Sequence, residues 1–338
     1  MIITGEPFVG WEKKQIVEFL EHAGLSYEEG IEYSVCVMEN GKVAGTGSVE
    51  RNILKCIAVA EEFQGQGICA SIISQLVQYE IERGRTHLLL YTKPENLDMF
   101  LNSGFYPIIQ TDQVLLMENR KNGFADFMYR VKEETPLEAL RQGCVVGAVV
   151  ANCNPFTLGH RFLLEQALKS CEYLHLFVVS EEQEPFTADQ RFEMVQLGTE
   201  DLDRLILHRT DCYMVSFATF PTYFYKDKRV GKAANCQLDL KLFGERISPE
   251  LRIKKRFVGT EPFCGTTADY NRRMRQTLPM FGIQVIEIER KQKNGRPISA
   301  TEVRKCLCGH DFQHLQELVP EKVAYYLQQM KGDEKTAK

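Results

Sequence analysis

A chain of 338 residues, 44% hydrophobic and 26% charged, exceeds the size at which one core usually stops growing, so two domains are expected. No apolar run reaches the ~18 residues of a membrane span, and the start Met1-Ile-Ile-Thr-Gly5-Glu6 lacks a basic secretory segment, so a cytoplasmic protein with no membrane partner is expected. A net charge of −5 gives no global support for a nucleic-acid partner. The 11 cysteines are odd in number and scattered through apolar segments, which reads as reduced thiols. Cys306-Leu-Cys308 with His310 and His314 lacks a second ligand pair and lies in a helical pattern, so no metal site is expected there.

Residues 1–131 read as the first domain. Trp11, Ile16, Phe19 and Leu20 mark an amphipathic helix over Trp11 to His22. Strands follow at Tyr33 to Met38 and Lys42 to Val49 around the turn Glu39-Asn40-Gly41, and a third at Ile53 to Val59. Gln64-Gly65-Gln66-Gly67 then leads into a helix from Ala70 to Glu82. Glycines there let successive N–H groups face one concavity at a helix N-terminus, which suits a pyrophosphate. After a strand at Leu88 to Tyr91 comes Thr92-Lys-Pro-Glu-Asn96 with Gly104-Phe105 beyond. These segments resemble the coenzyme A loop and later segment of the GNAT acetyltransferase family. The resemblance implies that Gln64, Gly65, Gln66, Gly67 and Asn96 bind a CoA-like group. Many members carry a Tyr near the coenzyme sulfur where Phe100 stands, and Phe cannot protonate a leaving thiolate. A CoA-like group held without acetyl-CoA as donor is therefore expected.

Charge and Pro136 mark 132–142 as a junction, with a short helix expected over Leu137 to Arg141. The second domain, residues 143–338, opens with the apolar run Val145 to Ala151, then Asn152-Cys-Asn154-Pro-Phe156-Thr157-Leu-Gly159-His160 and apolar residues at helical spacing through Leu168. That is a buried parallel strand, a tight turn and a helix whose N-terminus favours phosphate. Strands are expected at Tyr173 to Ser180, Leu205 to His208, Lys255 to Val258 and Ile283 to Ile288, with a helix beginning in Glu181 to Val195. Gly259-Thr-Glu261 ends one of these strands, at the sheet edge where ligands bind. Ile298-Ser299-Ala300-Thr301-Glu302-Val303-Arg304 places a helix cap and an arginine one turn on, a second phosphate-binding arrangement.

Thr157-Leu-Gly159-His160 and Ile298 to Arg304 resemble the two signatures of the nucleotidyltransferase superfamily, with Thr157 for the first His and Ala300 for a usual Ser. The expected fold class is α/β, a GNAT-like domain followed by a Rossmann-like domain with a parallel sheet. Arg191 matches the arginine at the start of a helix in that superfamily, and the acidic loop before it argues against a phosphorylated acceptor. The aromatic and cationic run Phe217 to Arg229 could cover an adenine and its phosphates or pack a loop. With Tyr225-Lys226-Asp, Leu242-Phe-Gly244 and Val258-Gly-Thr-Glu261 added, nearly the whole chain resembles the citrate lyase ligase family.

That resemblance implies an ATP-dependent ligase. Acetate is activated as acetyl-adenylate and transferred to the thiol of the dephospho-CoA-derived prosthetic group on the citrate lyase acyl carrier subunit, releasing AMP and diphosphate, with Mg²⁺ accompanying the nucleotide. It implies catalytic roles for His160, Arg304, Arg191 and Lys226. It implies nucleotide contacts from Asn154, Phe156, Thr157, Gly159, His160, Gly259, Glu261, Ser299, Thr301 and Arg304. The alternatives are a nucleotidyltransferase with an accessory GNAT-like domain, or a carrier-binding module without chemistry.

Overall fold

β-branched and apolar runs become strands and amphipathic runs become helices in a computed structural model that describes residues 1–214, 228–261, 265–293 and 295–336. Met1–Phe124 with residues 228–239 form one compact unit, and the second begins at Ala125 and resumes at Leu240.

The first unit holds β1 (Ile2–Gly5), α1 (Gly10–His22), β2 (Tyr33–Glu39), β3 (Lys42–Glu50), β4 (Ile53–Val59), α2 (Ile68–Glu82), β5 (Leu89–Thr92), α3 (Leu97–Leu101), β6 (Tyr106–Gln110) and β7 (Leu115–Glu118). One sheet runs in the order β1-β2-β3-β4-β5-β7-β6. Only β4 and β5 pair in parallel, and only through Ile53–Leu89 and Leu54–Leu90. Immediately beyond, Cys56 takes a left-handed conformation at φ 54° and the β3–β4 register shifts, so a bulge turns β4 away from β5. Val35, Val49, Leu54, Ile72, Leu76 and Phe100 share the core. β1, β6 and β7 are short and were not anticipated from the sequence.

The second unit contains β8 (Val146–Ala151), α5 (Leu158–Leu168), β9 (Tyr173–Val178), α6 (Ala188–Thr199), β10 (Leu205–Arg209), β11 (Ile253–Gly259), α8 (Gly265–Thr277), β12 (Gln284–Ile288), α9 (Ala300–Gly309), α10 (Phe312–Leu315) and α11 (Glu321–Thr336). Before β8 comes α4 (Gly123–Glu133), and between β10 and β11 comes α7 (Lys228–Leu242). Its five parallel strands lie in the order β10-β9-β8-β11-β12. Winding therefore reverses between β8 and β11, and the crevice outside their carboxyl ends is the binding position of such a sheet. Val149, Leu174, Leu176 and Phe257 pack against Leu164, Met194, Val303 and Val323.

The helix expected to begin within Glu181 to Val195 begins at Ala188, because Pro185 bars helical backbone before it and Thr187 supplies the cap by accepting from the Gln190 N–H. One local expectation changes. Over Leu137 to Arg141 the chain makes successive i to i+3 turns (Ala139 to Pro136, Leu140 to Leu137, Arg141 to Glu138) and no helix. Among the described residues no helix is long and apolar enough to cross a membrane.

Candidate active site

Thr157 caps α5 in extended backbone (φ −128°), and its hydroxyl accepts from the His160 N–H at 3.3 Å. In return the Thr157 N–H donates to His160 Nδ1 at 3.1 Å. A neutral imidazole that accepts at Nδ1 carries its proton on Nε2. Burial, with the Arg290 charge adding to it, pushes His160 down to about 4, so the ring is a neutral Nε2–H donor near pH 7. The Phe156 side chain is fully buried in the core and stacks on this ring at 5.7 Å between centroids, so it backs His160.

The second signature folds onto the first. A Cβ on Gly159 would lie 3.1 Å from the carbonyl oxygen of Ile298 and 3.3 Å from the Thr157 hydroxyl, so the absent side chain lets the start of α5 meet the segment before α9. Ser299 caps α9 by accepting from the Glu302 N–H at 3.2 Å. Arg304 donates from Nη1 to the Asn154 carbonyl at 2.5 Å and from Nη2 to the Thr301 hydroxyl at 3.0 Å. Among the described residues the N–H groups of Gly159, Ala300 and Thr301 have no hydrogen-bond partner. Two helix N-termini and a neutral imidazole donor thus lie in adjoining segments, an arrangement of donors that suits an anion. Asn154 ties the loop further through Nδ2 to the Glu184 carbonyl at 3.0 Å, and its buried Oδ1 has no partner among the described residues.

Arg191 behaves differently from the expectation of a catalytic arginine. It is fully buried, and its guanidinium donates to the carbonyls of Asn152 (2.8 Å), Val179 (2.6 Å) and Glu181. It fixes the chain leaving β8 and β9 and is a positioning residue. Lys226, and the aromatic run from Phe217 to Tyr225 with it, lies outside the described residues.

At the end of β11 the Gly259 carbonyl accepts from Asn271 Nδ2 at 3.0 Å. Glu261 pairs with Arg290 Nη2, and Arg290 Nε donates to the Thr260 carbonyl at 2.6 Å. Arg290, bonded here to two residues at the end of β11, is not among the residues singled out from the sequence. Its position two residues after the last parallel strand was the available signal. No cluster of three or more His, Cys, Asp or Glu that could hold a metal ion occurs among the described residues, Cys306 to His314 included.

In the first unit, Gly65 and Gly67 take φ of 76° and 79°, and a Cβ on either would meet nothing within 4 Å. Gly67 precedes α2 without any side-chain cap, so the first N–H groups of that helix face the open loop. Gln64 and Gln66 are exposed and donate to the carbonyls of Val59 (3.4 Å) and Glu62 (3.2 Å). Asn96 donates internally, from Nδ2 to the Thr92 hydroxyl at 2.9 Å, and so holds the turn after β5. Phe100 is buried in the core.

Residues 146–327 match the family described as citrate lyase ligase C-terminal domain, and residues 2–105 match the acetyltransferase (GNAT) family. The [citrate [pro-3S]-lyase] ligase of Klebsiella pneumoniae is 39% identical over 328 residues, covering 95% of this chain and 94% of its own. The chain belongs to the citrate lyase ligase family. Two further citrate lyase ligases agree: that of Escherichia coli K12 is 37% identical over 94% of this chain and 90% of its own, and that of Haemophilus influenzae 41% over 93% and 94%. As a citrate lyase ligase the chain is an enzyme, with a GNAT-family region followed by a citrate lyase ligase C-terminal domain.

Proposed function

We propose that the second unit joins acetate to ATP as acetyl-adenylate and that the acetyl group then passes to a carrier thiol. The observation that carries this reading is the convergence of the α5 and α9 N-termini with His160 Nε2–H and Arg304 at the switch point of the parallel sheet. An acetate oxygen attacks the α-phosphorus, the bond to the pyrophosphate oxygen breaks, and the electron pair leaves with pyrophosphate. Charge grows on the phosphoryl oxygens, where the Gly159, Ala300 and Thr301 N–H groups, His160 and Arg304 are fixed donors that need no reorganisation. Mg²⁺, held by phosphate oxygens of the nucleotide, would neutralise the departing pyrophosphate. The carrier thiolate then attacks the acetyl carbonyl, AMP leaves, and a thioester remains.

In this reading residues 143–338 activate the acid, and residues 1–131 hold the CoA-like arm of the citrate lyase acyl carrier subunit on the Gly65–Gly67 loop, with 132–142 joining them. Lys226 is assigned to the nucleotide site from the family resemblance alone. The test is incubation of the enzyme with ATP, Mg²⁺, acetate and deacetylated carrier subunit. Intact mass should show one acetyl group gained on the carrier, together with AMP. Absence of acetate-dependent ATP–pyrophosphate exchange would overturn the adenylation step. A dinucleotide product would favour plain nucleotidyl transfer.

A further inference from the structure

Arg290 follows β12, the edge strand, yet its side chain runs back across the end of β11. A Cβ on Gly259 would lie 3.9 Å from Arg290 Cγ, the backbone N–H of Arg290 donates to the Thr260 hydroxyl at 3.3 Å, and Nε donates to the Thr260 carbonyl at 2.6 Å. Nη2 pairs with the nearly buried Glu261 carboxylate. Since β11 pairs with β8, this path leads toward the switch-point crevice, and the Arg290 charge is felt at His160. Nη1 has no partner among the described residues, and about a third of the side chain is exposed (29%).

We propose that Arg290, clamped by Thr260 and Glu261, positions the carboxylate of the acid substrate for attack on the α-phosphorus. This rests on the adenylation reading above. The nucleophile is an anion that must approach another anion, so it needs a cation of its own beside the phosphate donors. α5, α9 and Arg304 already serve the phosphate. Arg290 presents one uncommitted amino group in a fixed orientation, which suits a small monocarboxylate. Glu261 offsets the charge, so a short acid is held reversibly and not trapped.

The test measures acetate-dependent ATP–pyrophosphate exchange in wild type, Arg290→Lys, Arg290→Gln and Glu261→Gln. Arg290→Gln should raise the KM for acetate by about tenfold or more, the scale of one lost charge-assisted hydrogen bond, with the KM for ATP within about twofold of wild type. Arg290→Lys should recover part of the acetate KM. Glu261→Gln, which leaves the cation but loosens the clamp, should raise the acetate KM by less than Arg290→Gln. An unchanged ATP KM also shows that the variants are folded. An acetate KM within twofold of wild type in Arg290→Gln would overturn the proposal, as would an equal rise in the ATP KM, which would assign Arg290 to the nucleotide. Lack of exchange in the wild type would overturn the adenylation reading instead, so the two failures are distinct.

Discussion

Arg304 reaches across 150 positions of sequence to donate to the Asn154 carbonyl at 2.5 Å. The arginine of the second signature therefore shapes the loop of the first. It has N–H groups left for phosphate, because each terminal nitrogen donates only once among the described residues. Replacing it by Ala should remove both a loop anchor and a transition-state donor. Acetate-driven pyrophosphate exchange should drop by about 10² or more. Arg304→Lys should recover little, since an ammonium cannot hold two acceptors in a fork. Exchange near the wild-type rate in both variants would remove Arg304 from the site.

Gly159→Ala tests the contact between the two signatures. The added methyl would meet a backbone carbonyl at 3.1 Å, which cannot rotate away as a side chain can. Overpacking of this kind costs about 1–3 kcal/mol. Urea denaturation should show that loss, and exchange should fall with it because α5 and α9 no longer meet in register. Unchanged stability would mean that the segments part without cost.

His160 is neutral well above its depressed pKa of about 4, so it should contribute no titration step to the exchange rate between about pH 5 and 8. His160→Gln keeps an amide N–H near the place of Nε2 and should retain more activity than His160→Ala, which should lose about 10². A rate that halves near pH 6.5 in wild type, with the step abolished in His160→Gln, would show that the imidazolium is the active form.

On the opposite face of the parallel sheet, His175 and His208 are fully buried, joined Nδ1 to Nε2 at 2.7 Å, with His208 Nδ1 on Glu134 at 2.5 Å. The carboxylate accepts from His208, His208 accepts from His175, and His175 Nε2 stays bare, so both rings are neutral. Burial holds both below their ordinary value of about 6.5. The unfolded chain then binds more protons than the folded one below about pH 6.5, so stability is full above that pH and declines as pH falls. Burial works to raise the Glu134 carboxyl, but its His208 and Arg130 partners together outweigh it and hold the group low, so it adds in the same direction at more acidic pH. Denaturation midpoints between pH 8 and 5 should therefore fall on the acid side, and a flat profile would contradict the neutral pair.

Gly67→Val places a branched side chain at φ 79°, in the open loop before α2. Transfer of acetyl to the carrier subunit should fail while pyrophosphate exchange in the second unit continues. Circular dichroism checks that the first unit remains folded. Equal transfer by a folded variant would reduce that unit to a scaffold.

The longer strands and the helices α1, α2, α5 and α6 were legible because each reports a local hydrophobic period, whereas the short β1, β6 and β7 were not. The signatures at Thr157 to His160 and Ser299 to Arg304 were legible because helix capping needs particular residues a few positions apart. Side-chain direction after a strand end was not. Arg191 looked like a ligand-facing cation, but the fold turned it inward onto three carbonyls. Phe156 became the backing of His160, and Asn96 spent its amide on Thr92. Arg290 showed no motif at all. It matters because β12 lies beside β11 and β11 beside β8, an adjacency set by the order of parallel strands. Local pattern determined which segments form and where phosphate-binding turns begin. Only the tertiary structure decided which polar groups are consumed by the protein's own backbone and which are left to meet a substrate, because that depends on neighbours distant in sequence.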